Sequence, residues 1–182
     1  MVLKAPRAER LTLAGPAGGL ESLIETPVSG EDSQSAQVTA FAVVCHPHPQ
    51  FGGTLDNKVV HTLARAFNQL GAPAIRFNFR GVGTSAGNYD DGRGEIQDAL
   101  AVIAWGRERW PGAPLWLGGF SFGGSVAVWA AGEAAPARLV AVAPGITKIG
   151  VTGAAPPKCP RLIVQGDADD DKDGSVDLSE LI

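Results

Sequence analysis

Leu115-Trp116-Leu117-Gly118-Gly119-Phe120-Ser121-Phe122-Gly123-Gly124 runs from a short apolar strand, through a serine, into a mostly apolar helix expected over 122–131. Glycines two positions on either side of Ser121 are what a sharp strand-to-helix turn needs, because a side chain there would strike neighbouring backbone. Such a turn lifts the Ser121 hydroxyl above the carboxyl end of a sheet. It also sets the Phe122 N–H at a helix start, where it faces any negative charge growing on a substrate oxygen. The competing reading is a glycine-rich turn with an incidental serine.

Outward from this stretch, short apolar runs alternate with helix-period segments, the pattern of an α/β fold with a mostly parallel sheet flanked by helices. Strands are expected at 10–14, 20–25, 38–45, 73–79, 115–118, 138–143 and 161–165. The run Val38–Cys45 is nearly continuous in apolar residues, as in a strand covered on both faces. Apolar positions 59, 60, 63, 67 and 70 form a helical stripe, and Ile96, Ala99, Leu100 and Ile103 form another. Residues 28–37, 80–87 and 144–160 read as loops.

A serine that attacks an acyl carbon needs a second N–H donor, from the loop after the third strand. That loop is Cys45-His46-Pro47-His48-Pro49-Gln50-Phe51-Gly52-Gly53-Thr54. Pro47 and Pro49 have no N–H to give, so His48 is the expected backbone donor, with Gln50 and Phe51 as alternates. A rigid turn, or a metal site on His46 and His48, is the other reading of this stretch; two histidines without a third ligand make a poor metal site.

Val44-Cys45-His46-Pro47-His48-Pro49 with Gly52-Gly53-Thr54-Leu55-Asp56-Asn57-Lys58-Val59-Val60, and Arg76-Phe77-Asn78-Phe79-Arg80-Gly81-Val82-Gly83-Thr84-Ser85, closely resemble small bacterial α/β-hydrolases of the dienelactone-hydrolase-like kind. The elbow at 119–123 and Leu162-Ile163-Val164-Gln165-Gly166-Asp167-Ala168-Asp169 continue the resemblance, which covers roughly residues 10–169. It implies an α/β-hydrolase fold and a serine hydrolase acting on small esters or related acyl compounds, with Ser121 as nucleophile. It also implies Asp169 as the acid that orients a histidine, with Asp167 as runner-up; capping the end of a strand is the plain alternative for both. In this architecture the histidine follows the acid. The chain's three histidines, His46, His48 and His61, all precede Ser121. The core over 1–168 is therefore expected to be incomplete at its C-terminal end, with competence impaired unless His46 or His48 stands in as base. Lacking later elements, the sheet is expected to expose an apolar edge and to favour a homo-oligomer.

From Asp169 the sequence Asp-Asp-Asp-Lys-Asp-Gly-Ser-Val-Asp-Leu-Ser-Glu follows the pattern of an EF-hand loop. Asp169, Asp171, Asp173, Asp177 and Glu180 supply carboxylates, Ser175 a carbonyl, and Gly174 the sharp turn. Residues 169–182 are thus a candidate Ca²⁺ loop, and a catalytically silent, calcium-binding hydrolase-like domain is the alternative function. A solvated acidic tail is the simpler reading. Seven of the chain's 19 acidic residues lie at 167–182, so the remainder is close to neutral and gives no reason to expect nucleic acid or membrane as a partner. No apolar stretch approaches a membrane span, and no signal peptide is evident. Two cysteines, Cys45 and Cys159, make no disulfide framework, and a cytoplasmic protein without a hydrolytic cofactor is expected.

Overall fold

Phe41–Cys45 forms the central strand, with all five residues buried. A computed structural model describes residues 6–27, 38–145 and 157–166. Seven strands are described: β1 (Arg7–Gly15), β2 (Gly18–Thr26), β3 (Phe41–Cys45), β4 (Ala74–Phe77), β5 (Leu115–Phe120), β6 (Arg138–Val142) and β7 (Arg161–Val164). Three α-helices cross between them: α1 (Lys58–Gln69), α2 (Arg93–Arg109) and α3 (Phe122–Ala134). The sheet order is β1-β2-β4-β3-β5-β6-β7. The β1–β2 and β2–β4 pairs are antiparallel, and every other neighbouring pair is parallel. This is the α/β-hydrolase-type sheet expected from the sequence.

Alternation along β3 divides the core in two. Phe41, Val43 and Cys45 pack with Val102 and Ile103 of α2 and Val126 and Ala130 of α3, whereas Ala42 and Val44 pack with Val60, Ala64 and Phe67 of α1. Burying both faces explains why this strand reads as unbroken hydrophobicity. The chain passes from β3 to β4 on one side and then to β5 on the other. The carboxyl ends of β3 and β5 therefore flank the point where strand order reverses, the usual place for a site in such sheets.

Element ends depart from the sequence expectations for traceable reasons. The third strand begins at Phe41 rather than 38, because its neighbours begin at Ala74 and Leu115. Pro73 and Pro114, just before them, offer carbonyls to Ala42 and Phe41 but no N–H to extend the ladder. β4 stops at Phe77 rather than 79: the Asn78 N–H donates to the Glu21 carbonyl and the Phe79 N–H to the His46 ring. Leu70, counted in the α1 stripe, instead caps the helix and is exposed. On β7, Leu162 is 57% and Val164 46% exposed among the described residues.

Candidate active site

Ser121 sits between β5 and α3 with φ 52° and ψ −121°, in left-handed space that a non-glycine residue enters only under constraint. Its N–H donates to the Val142 carbonyl at 2.8 Å, and its carbonyl accepts the Ser125 N–H at 3.0 Å. The two glycines of the elbow are required by backbone rather than by flexibility. A Cβ at Gly119 would strike the Gly123 carbonyl, and one at Gly123 would strike the carbonyl oxygens of Cys45 and His46. The Phe122 N–H, at the first turn of α3, has no hydrogen-bond partner among the described residues.

The β3–β5 register places Cys45 opposite Gly119, so the loop leaving β3 runs beside the elbow. That loop closes on itself as a short 3₁₀ turn over Pro49–Phe51. The Gln50 N–H donates to His48 Nδ1 at 3.2 Å, and the Phe51 and Gly53 N–H groups donate to the His48 carbonyl at 3.1 and 3.0 Å. The two alternates weighed from sequence, Gln50 and Phe51, are thus spent inside the turn. The His48 N–H has no partner among the described residues. Gly53 is fixed by the Pro47 and His48 carbonyls, which a Cβ would meet. The residues bearing the two unengaged amides touch through their rings: the His48 imidazole and the Phe122 ring have centroids 4.8 Å apart.

The histidines take different parts. His46 is fully buried, with Nδ1 2.6 Å from the Pro47 carbonyl and Nε2 accepting the Phe79 N–H at 3.0 Å. Those partners require a neutral ring with its proton on Nδ1. Burial pushes its pKa down to about 4, opposed by the Pro47 carbonyl. With both nitrogens engaged, His46 cannot take a proton from Ser121, which corrects the expectation that it could stand in as base. It is a brace between the β3 and β4 loops.

His48 is half-buried, its Nε2 3.2 Å from the Tyr89 hydroxyl. The rings of Phe51 and Tyr89 flank it at 4.7 and 5.0 Å. Burial lowers its pKa, while Glu95 and Asp91 pull the other way. Among the described residues its ring hydrogen-bonds Gln50 and Tyr89, not Ser121. His61 is exposed on α1.

Behind the site, Arg80 and Asp98 form a bidentate pair, with Nε to Oδ2 3.0 Å and Nη2 to Oδ1 2.8 Å, and Asp98 also accepts the Arg80 N–H. The Glu95 carboxylate accepts the N–H groups of Asp90 and Gly92, closing the start of α2. These contacts hold the loop that carries Tyr89. Tyr89 was not singled out from sequence; it lies in an aperiodic loop 41 positions from its partner, with no motif to mark it.

Asp167, Asp169, Asp171, Asp173, Ser175, Asp177 and Glu180 lie outside the described residues, so the acid and the calcium loop have no described geometry. Among the described residues no group of three or more His, Cys, Asp or Glu side chains could hold a metal. Likewise among the described residues, no helix is long and apolar enough to cross a membrane.

Residues 44–169 match the profile of the family described as serine aminopeptidase, S33. The chain belongs to this family of α/β serine hydrolases. It is 42% identical to an α/β serine hydrolase homologue from Coxiella burnetii, whose structure matches with a TM-score of 0.78 over 87% of this chain and 74% of that one. It is 40% identical to XC6422 from Xanthomonas campestris, described as an α/β serine hydrolase without a lid, with a TM-score of 0.77 over 92% and 75% of the two chains. It is also 36% identical over 160 residues to the uncharacterised protein RP471 of Rickettsia prowazekii, covering 83% of this chain and 64% of that protein. The chain therefore spans less than two thirds of that relative's length.

Proposed function

We propose that this member of the family is an acyl hydrolase in which Ser121 is the nucleophile and the Phe122 and His48 N–H groups form the oxyanion hole. The observation that carries the reading is the adjacency of a strained, half-exposed serine to two backbone amides left without internal partners. Ser121 Oγ forms a bond to the acyl carbon as its proton passes to a base. The carbonyl oxygen gathers negative charge that the two amides stabilise, and the leaving group departs as an alcohol after taking up a proton. Water then releases the acid and restores the hydroxyl. Losing one such donor typically costs about 10²–10³ in rate.

The described surroundings favour an uncharged acyl group. Phe51, Tyr89 and His48 form a partly exposed group of rings over the buried Phe122, Phe51 being 85% exposed. Small carboxylic esters are the substrate class of this reading. Asp169 fills the role of acid within it, and the base is not His46. None of the chain's three histidines hydrogen-bonds Ser121 among the described residues.

Hydrolysis of p-nitrophenyl acetate by the full chain, beside Ser121→Ala, tests the reading. Release that disappears in the variant supports it; equal release from both overturns it. An aminoacyl p-nitroanilide in parallel separates the ester class from the aminopeptidase activity that the family description carries, and preference for the anilide would replace the ester assignment.

A further inference from the structure

We propose that the His48 imidazole, braced by the Tyr89 hydroxyl, is a positioning residue: by accepting the Gln50 N–H it folds the turn that leaves the His48 N–H for the acyl oxygen, and protonation at Nδ1 undoes that turn. This rests on the oxyanion-hole reading above and extends it from a backbone donor to the side chain that places it.

The hydrogen bonds define one protonation state. Gln50 N–H donates to Nδ1 at 3.2 Å, so Nδ1 carries no proton and Nε2 does. The Nε2 proton then points to the Tyr89 oxygen, 3.2 Å away. The ring is wedged between Phe51, Tyr89 and Phe122, with centroids at 4.7, 5.0 and 4.8 Å. It therefore cannot turn over without vacating all three contacts. A side chain accepting the N–H two residues ahead of it is the device by which Asx turns fix a backbone corner. Here it is combined with two further N–H groups converging on the His48 carbonyl. The carbonyl is pulled into the turn, so the amide plane on its other side is set as well.

An imidazolium at this position has a proton on Nδ1 where the Gln50 proton now lies, and the two repel. The ionisable groups facing the ring are Tyr89 and Asp91 from the loop before α2, and Glu95 from α2 itself. Both carboxylates favour the cation, and burial opposes it more strongly. Phe51 and Phe122, from the other two packed elements, bring no charge. The neutral, turn-closing form is therefore the one present at neutral pH, and acid opens the turn.

Two measurements on the full chain test this. In the ¹⁵N-labelled protein, the Gln50 amide resonance is expected to titrate together with the His48 ring below the ordinary histidine range. It should stay fixed in His48→Asn, whose Oδ1 accepts the same N–H without ionising. In p-nitrophenyl acetate hydrolysis, His48→Asn is expected to keep more activity than His48→Leu, and to lack the parent's fall in rate on acidification. His48→Leu should lose about 10–100-fold in kcat with KM within twofold. Tyr89→Phe should lose about threefold. A Gln50 amide indifferent to the His48 titration overturns the proposal, as does His48→Asn being as inactive as His48→Leu, the pattern of a general base. If hydrolysis proves independent of Ser121, the nucleophile assignment fails instead, and the amide titration alone decides whether the imidazole holds the turn.

Discussion

The α-carbon of Gly123 lies against the carbonyl oxygens of Cys45 and His46, with no room for a Cβ. The elbow is thus seated on the very loop that carries the proposed second oxyanion donor. Gly123→Ala should move α3 away from the end of β3. We expect a loss of about 2 kcal/mol or more in urea unfolding, within the range for forced backbone displacement and strain. Loss of Ser121-dependent ester hydrolysis should accompany it. A stable, active Gly123→Ala protein would contradict the seating described.

Ser121 holds φ 52° and ψ −121° at a cost that a glycine would not carry. Ser121→Gly is therefore expected to unfold at higher urea than Ser121→Ala, by about 1 kcal/mol, although both lack the hydroxyl. The ordering of the two midpoints is the measurement. Equal midpoints would mean that the turn is not strained.

His46 gives stability a direction in pH. Its folded pKa, about 4, lies below the ordinary value of 6.5, so the unfolded chain binds the proton more readily between these values. The neutral ring's contribution is complete above pH 6.5 and is lost as pH falls towards 4. Comparing urea unfolding at pH 7 and pH 4.5, the parent should lose about 2 kcal/mol more than His46→Leu, which starts lower but has no ring to protonate. Parallel losses in the two proteins would refute the assignment of a neutral, doubly engaged imidazole.

Asp98 is fully buried and meets Arg80 through two charge-assisted bonds. Asp98→Ala leaves a largely buried guanidinium uncompensated, and about 3 kcal/mol of stability should go with it. Because Arg80 begins the loop leading to Tyr89, the Gln50 amide of this variant should also shift. Asp98→Asn, which keeps an acceptor, should fall between the two.

What could be read from the chain divides by the range of the forces involved. The elbow was legible because its requirement is local: Gly119 and Gly123 are dictated by atoms within a few residues and by one neighbouring strand. His48 stood out as a candidate donor by elimination, since proline lacks an N–H, and its N–H has no partner among the described residues. The roles of its ring and of Tyr89 were not legible, because a loop residue far along the chain leaves no periodic mark. For the same reason His46 passed for a possible base: only the fold brings the Phe79 N–H to its second nitrogen. The ends of β4 and the exposure of Leu70 follow equally from partners in space, Glu21 and His46 for the first and solvent at a helix terminus for the second. The resemblance to α/β-hydrolases came from four ordered motifs, three of which the sheet order brings to the adjacent strands β4, β3 and β5.

The order β4-β3-β5 has a consequence for how the molecule matures. Cys45 and Gly119 are neighbours although α1, β4 and α2 lie between them in the chain, the later strand returning to the middle of the sheet. Closing so long an intervening segment is among the slow, entropy-limited events of folding. A covalent reagent whose reaction needs the finished turn at Ser121 would accordingly begin to label late in refolding, and the time at which labelling begins would clock the completion of the central sheet.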